Sequence, residues 1–159
     1  MLYGYYFAAL DAFEGVVMKA MSADGAQATP QAGSEALAAW LLQSAGTGVG
    51  AEGVAASVVA TCQDIDGALT PIIGPCGVAA LFYRSAHLAA QRQPHLAGIH
   101  TGTPTVMDLG PLKLQLAGQA PADAAAAGAL LLHTFKELLG TLIGPSLTER
   151  LLRSVWPVV

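Results

Sequence analysis

Leu69–Ser85 reads LTPIIGPCGVAALFYRS, and Leu139–Ser154 reads LGTLIGPSLTERLLRS. Leu69/Leu139, Ile73/Ile143, Gly74/Gly144, Pro75/Pro145, Leu81/Leu151 and Phe82/Leu152 match at a constant offset of seventy residues. A one-residue slip then sets Arg84-Ser85 on Arg153-Ser154. Ile-Gly-Pro between two apolar-periodic stretches is a helix–helix elbow. The glycine can take the left-handed stop conformation, and the proline can open the next helix. The phrase therefore predicts an all-α chain containing two similar hairpins, with structural elbows at Gly74-Pro75 and Gly144-Pro145.

Working outward, Val58, Cys62, Ile65, Leu69 and Ile72 alternate spacings of four and three, a coiled-coil-like stripe over Val54–Ile73. Val78, Leu81, Ser85 and Leu88 continue it over Cys76–Gln91, where Pro94 ends the helix. In the second copy, Leu131, Phe135, Leu138 and Leu142 line one face of Asp123–Ile143, and Leu147, Leu151 and Val155 are expected to point inward from Ser146–Trp156. Residues equidistant from a turn face each other in an antiparallel hairpin. That spacing sets Asp66 near Arg84 and Glu137 near Arg153.

Upstream, Tyr3–Met21 reads as a helix with Tyr6, Leu10, Phe13 and Val17 on one line and Asp11, Glu14 and Lys19 off it. Its aromatic residues suit a core or dimer contact. Ala23–Gly33 reads as a linker, Ser34 as the cap of a short helix Glu35–Ala45, and Gly46–Gly53 as a flexible loop. Between the hairpins, His95–Pro121 is ambiguous. Leu112, Leu114 and Leu116 alternate like a strand, but a lone strand has no partner, and Asp108 favours a short helix within a long loop. The whole, residues 1–159, is one domain: an N-terminal aromatic helix (1–22), a linker and short helix (23–53), and a duplicated-hairpin core (54–156).

Composition narrows the functional classes. The chain is 53% hydrophobic and only 11% charged, against about 25% charged in ordinary soluble domains. Such a chain exposes apolar surface or buries it against a partner, which favours a homo-oligomer. A net charge of −4 with seven scattered basic residues excludes a nucleic-acid stripe and an electrostatic membrane anchor. The longest uncharged run, Gly67–Tyr83, is seventeen residues and is interrupted by Pro71, Gly74 and Pro75. A membrane span is not expected from it, since spanning takes about 20 apolar residues. With no basic leader and two cysteines read as free thiols, the expected location is cytoplasmic.

Catalytic constellations are sparse. Gly48–Gly53 fits G-x-G-x-x-G, but a helix precedes it where a dinucleotide fold requires a strand. His95 and His100 lack the companions of a zinc site. Cys76, at a helix start, is the one thiol placed for activation. The second copy has Ser146 in its place, which marks a tolerated small residue. Tyr83, Arg84, His87 and His133 lie on the long helices toward the ends remote from the elbows and form the candidate ligand pocket. A haem with one histidine as axial ligand is conceivable there, although nothing marks a proximal histidine.

Leu69–Leu96, LTPIIGPCGVAALFYRSAHLAAQRQPHL, and Leu131–Trp156, LLHTFKELLGTLIGPSLTERLLRSVW, together resemble an uncharacterised all-helical bacterial domain associated with signalling proteins such as sensor kinases. The resemblance spans roughly Val54–Trp156 and carries no functional residues with it. It implies a signalling context with a signalling partner. Together with the sparse catalytic constellations and the apolar composition, it leads to the expectation of a non-enzymatic regulatory or interaction module, without cofactor and homodimeric. The alternative is a small-molecule or haem sensor with its pocket between the hairpins.

Overall fold

The computed structural model describes residues 30–46, 49–99 and 105–156. Among them the fold is all-α: α1 (Pro30–Ser44), α2 (Ala51–Ala90), a 3-10 turn (Pro94–Ile99), α3 (Gly110–Ala117), α4 (Pro121–Ile143) and α5 (Pro145–Leu152). The aromatic N-terminal segment and His100 lie outside the described residues.

Both Ile-Gly-Pro phrases interrupt the helical backbone. Gly74 sits at φ 77°, ψ 162° inside α2, and Gly144 at φ 90°, ψ 150° between α4 and α5. Neither is the left-handed stop expected from the sequence. A following proline clashes with helical ψ and drives its predecessor to extended values. Positive φ combined with extended ψ is a region that essentially glycine alone occupies. Pro75 and Pro145 thus impose the unusual glycine conformation as well as opening the next helix.

The break at Gly74 folds α2 back on itself. Cys62 and Ile65 line one small cavity together with Phe82. In an unbroken helix, Cys62 and Phe82 would stand about 30 Å apart. The same cavity receives Leu131, Leu132 and Phe135 from α4. Lower down, Gly128 of α4 lies so close to Val58 that a Cβ there would meet Val58 Cγ2 at 2.5 Å. Val58/Gly128, Cys62/Leu132 and Ile65/Phe135 are each seventy residues apart. Equivalent positions of the two repeats therefore meet, and the first arm of α2 runs parallel to α4. Both Gly-Pro breaks consequently lie at one end of the molecule, sixteen residues (about 24 Å) beyond the Val58–Gly128 contact.

Helix α1 packs mainly on α4 and runs opposite to it. Gly33 sits against His133, while Leu41 reaches Gly128. The helix begins at Pro30, so Ser34 is an interior residue and not a cap. Proline's fixed φ suits a first helical turn. The same effect starts α4 at Pro121, two residues before Asp123. Gly50 precedes α2, which begins at Ala51.

The ambiguous stretch resolves as a short helix. In α3, Leu112 and Leu116 are buried while Leu114 is 77% exposed, a spacing of four. Asp108 Oδ1 accepts from Gly110 N at 2.9 Å at the start of α3. The 3-10 turn, not anticipated from the sequence, buries Leu96 and Ile99 against α2 and α3.

Two expectations fail locally. In α5 and just beyond it, Leu151 and Val155 pack partly buried against the core as expected, but the fully buried residues are Thr148 and Leu152, and Leu147 faces out. Thr148 Oγ1 donates to Gly144 O at 2.8 Å, which lets a polar residue sit inward on the first turn. The acid–arginine pairs are replaced by local contacts. Asp66 Oδ1 accepts from Thr70 at 3.0 Å, and Glu137 Oε1 lies 3.2 Å from His133 Nε2. Partners one helical turn away cost less side-chain ordering than partners across a hairpin.

Candidate functional site

The most distinctive surface lies at the end that holds the two breaks. Ile72, Leu142 and Leu147 are 51%, 49% and 41% exposed there, beside the exposed Pro71, Pro75 and Pro145. Ile72 and Leu142 occupy equivalent places, each two residues before its glycine. The helical stripes assign both to the core, but the packed layers stop at Leu69 and Leu139, which are fully buried. No charged residue occurs from Gly67 to Tyr83 or from Leu138 to Thr148. The result is an uncharged, partly apolar end, about 10 Å deep at 1.5 Å per helical residue.

Apolarity also extends along the sides. Ala51–Ala90 and Pro121–Ile143 are long and apolar enough by composition to cross a membrane, with mean hydropathy 1.5 and 1.3. Only 33% and 44% of those apolar windows are buried, so much apolar helix surface remains uncovered.

The four candidate pocket residues occupy different surroundings. Tyr83 is buried on the second arm of α2, edge-on to Phe82 with ring centres 5.3 Å apart. Its hydroxyl donates to Val106 O at 3.3 Å and accepts from Asp108 N at 3.1 Å. It thereby fixes the segment leading into α3. Arg84 is half-buried and His87 exposed on the same arm. His133, on α4, faces α1 at Gly33, and Glu137 approaches its Nε2 without hydrogen-bond geometry. None of the four lines the cavity between the arms, whose walls are Cys62, Ile65, Phe82, Met107, Leu131, Leu132 and Phe135. That cavity holds about 10 Å³, and one water needs roughly 10–15 Å³ on the same scale.

The two thiols differ sharply. Burial pushes the Cys62 thiol up to about 12, because the apolar interior disfavours thiolate. Cys76 is exposed at the start of the second arm, with Sγ 3.7 Å from Thr105 O. The G-x-G-x-x-G stretch joins α1 to α2, with Gly48 outside the described residues. Among the described residues no three His, Cys, Asp or Glu side chains are grouped to hold a metal.

Sequence reasoning missed two placements. The clamp made by Tyr83 depends on a loop more than twenty residues away, for which no local pattern exists. The exposed end was signalled by the uncharged run, but the periodicity alone could not say where the layers stop. No protein-family model matches the chain, and no curated protein or solved structure is significantly similar to it.

Proposed function

We propose that this chain is a regulatory or interaction module of bacterial signalling, cytoplasmic, without catalytic activity of its own, and homodimeric. The observation that carries the reading is the uncharged end formed by both Gly-Pro breaks, with Ile72, Leu142 and Leu147 uncovered. Apolar side chains that helical periodicity assigns to a core, but that the fold leaves in solvent, favour burial against a protein surface. The signalling context rests on the resemblance of Val54–Trp156 to the helical domain of signalling proteins.

The sensor alternative, with or without haem, requires room between the arms. The cavity of about 10 Å³ offers it only if the arms separate. Among the described residues this supports the interaction reading over the sensor.

Sedimentation equilibrium of the wild-type chain and Leu142→Glu tests the proposal. The expected result is a wild-type dimer at micromolar concentration, weakened about tenfold or more by the substitution, equivalent to at least 1.4 kcal/mol. A wild-type chain that stays monomeric at the highest attainable concentration refutes the homodimer. A reproducible extra mass retained in native mass spectrometry redirects the reading to the sensor.

A further inference from the structure

We propose that Met107 is a redox-sensitive latch: a hydroperoxide oxidises its thioether to the sulfoxide, and the segment Thr105–Asp108 then lifts off the core. The device is separate from the uncharged end. Thr105–Asp108 is irregular and runs along the second arm of α2 before α3 begins. Two side chains of that arm, seven residues apart, hold it. Cys76 Sγ lies 3.7 Å from Thr105 O. Tyr83 Oη donates to Val106 O at 3.3 Å and accepts from Asp108 N at 3.1 Å, so one hydroxyl brackets Met107 from both sides. The first of these contacts is long for an O–H···O bond, and the bracket is correspondingly weak.

Within the segment, Met107 is half-buried while Thr105, Val106 and Asp108 are exposed. Its side chain lines the cavity between the arms together with Cys62, Ile65, Phe82, Leu131, Leu132 and Phe135. All six of those are buried, so Met107 forms the solvent side of the cavity. It is thus the wall residue that a small solute can reach.

The chemistry balances without help from the protein. The sulfur lone pair attacks one peroxide oxygen, the O–O bond breaks, an S–O bond forms, and water or an alcohol leaves. Sulfur loses two electrons and the peroxide gains them. The product is a strong dipole facing aliphatic and aromatic carbon, with only the Cys62 thiol, a weak donor, beside it. A polar group buried without a partner is unfavourable, and the unbranched methionine chain can swing outward. Enzymatic reduction of the sulfoxide restores the thioether, so the change is reversible.

Cys62 is the native reporter, because it is buried on the same cavity and an enclosed thiol is inert. In the full chain carrying Cys76→Ser, maleimide labelling of Cys62 is timed before and after mild, quenched hydrogen peroxide. Peptide mass spectrometry reads the oxidation state of each methionine. The expected result is one added oxygen at Met107 and labelling faster by about tenfold or more, the shift in open population that one unpaired buried polar group produces. Treatment with methionine sulfoxide reductases should restore the original rate. Met107→Leu is close in volume and leaves Met1, Met18 and Met21 oxidisable, so its labelling should ignore peroxide. An equal response from that variant assigns the effect to another methionine and overturns the proposal. So does a Met107 that stays unoxidised, or one that is oxidised while Cys62 labelling is unchanged. Circular dichroism separates release from unfolding: the oxidised chain should keep its helical signal, and loss of that signal also overturns the latch.

Discussion

Replacing Gly128 by alanine should destabilise the protein although it improves the helix. An alanine in the interior of α4 gains about 1 kcal/mol of helix propensity over glycine. Its Cβ, however, would lie 2.5 Å from Val58 Cγ2, 3.5 Å from Cγ1 and 3.6 Å from Leu41 Cδ1. Carbon atoms are comfortable at about 3.5–4.0 Å, so the first contact must open by roughly 1 Å. Val58 cannot turn aside, because a β-branched residue in a helix is held in one rotamer about 90% of the time. It is also fully buried, so relief must come from moving the arm of α2 away from α4. Overpacking of this kind costs about 1–3 kcal/mol. With backbone movement required, the upper part of that range applies, and a net loss of about 1–2 kcal/mol remains. Urea unfolding followed by circular dichroism measures it, with an unchanged m-value showing that only stability moved. Gly67→Ala is the matched control, since that glycine is exposed in α2 and a Cβ there would meet nothing within 4 Å. It should gain about 0.5–1 kcal/mol. Combining Gly128→Ala with Val58→Ala should recover part of the loss, with a coupling of at least about 0.5 kcal/mol. A Gly128→Ala protein as stable as Gly67→Ala would refute the parallel contact between the repeats.

Two further outcomes follow from the backbone and from the buried thiol. Gly144→Ala should cost about 1–3 kcal/mol in the same urea assay although no atom lies within 4 Å, because φ 90° with ψ 150° is strained for any residue with a side chain; unchanged stability would mean that the break has another conformation in solution. For Cys62, the folded thiol titrates near 12 against an ordinary value of 9.0. Between those values the unfolded chain has released its proton and the folded chain has not. Stability from this group is thus intact below about pH 9 and falls by about 1.4 kcal/mol per pH unit above it. The difference in alkaline slope between wild type and Cys62→Ala isolates this effect, and equal slopes would show that the thiol reaches solvent.

The sequence exposed the architecture wherever a residue type has one physical reading. Proline after glycine breaks a helix whatever surrounds it, so both interruptions were visible at Gly74 and Gly144. Leu112 and Leu116 declared a helix once a lone strand was rejected. What could not be read was set by tertiary geometry. Which residues in and just beyond α5 are fully buried is set by packing: Thr148, with its hydroxyl satisfied on Gly144 O, and Leu152 are enclosed, while Leu151 and Val155 pack only partly against the core. The role of Tyr83 depends on where Val106 and Asp108 pass. Repetition itself carried more than it first disclosed: the offset of seventy that defines the two phrases is also the offset between residues in contact.

That correspondence bears on why three of the exposed large apolar side chains, Ile72, Leu142 and Leu147, share one end, while Leu42, Val49, Val106 and Leu114 are exposed elsewhere. Parallel packing of equivalent arms puts both breaks together, and each break brings with it the least charged part of its repeat. At the opposite end, where the arms begin and α2 terminates, Glu52, Asp123 and Arg92 are exposed to solvent. A duplication packed antiparallel would have divided the apolar tips between two ends, each with a single exposed residue of the Ile72 or Leu142 kind. Two such tips at the same end, joined by Leu147 from α5, leave three large apolar side chains exposed where no charged residue stands from Gly67 to Tyr83 or from Leu138 to Thr148. The difference in charge between the two ends is therefore a consequence of the repeat and its register.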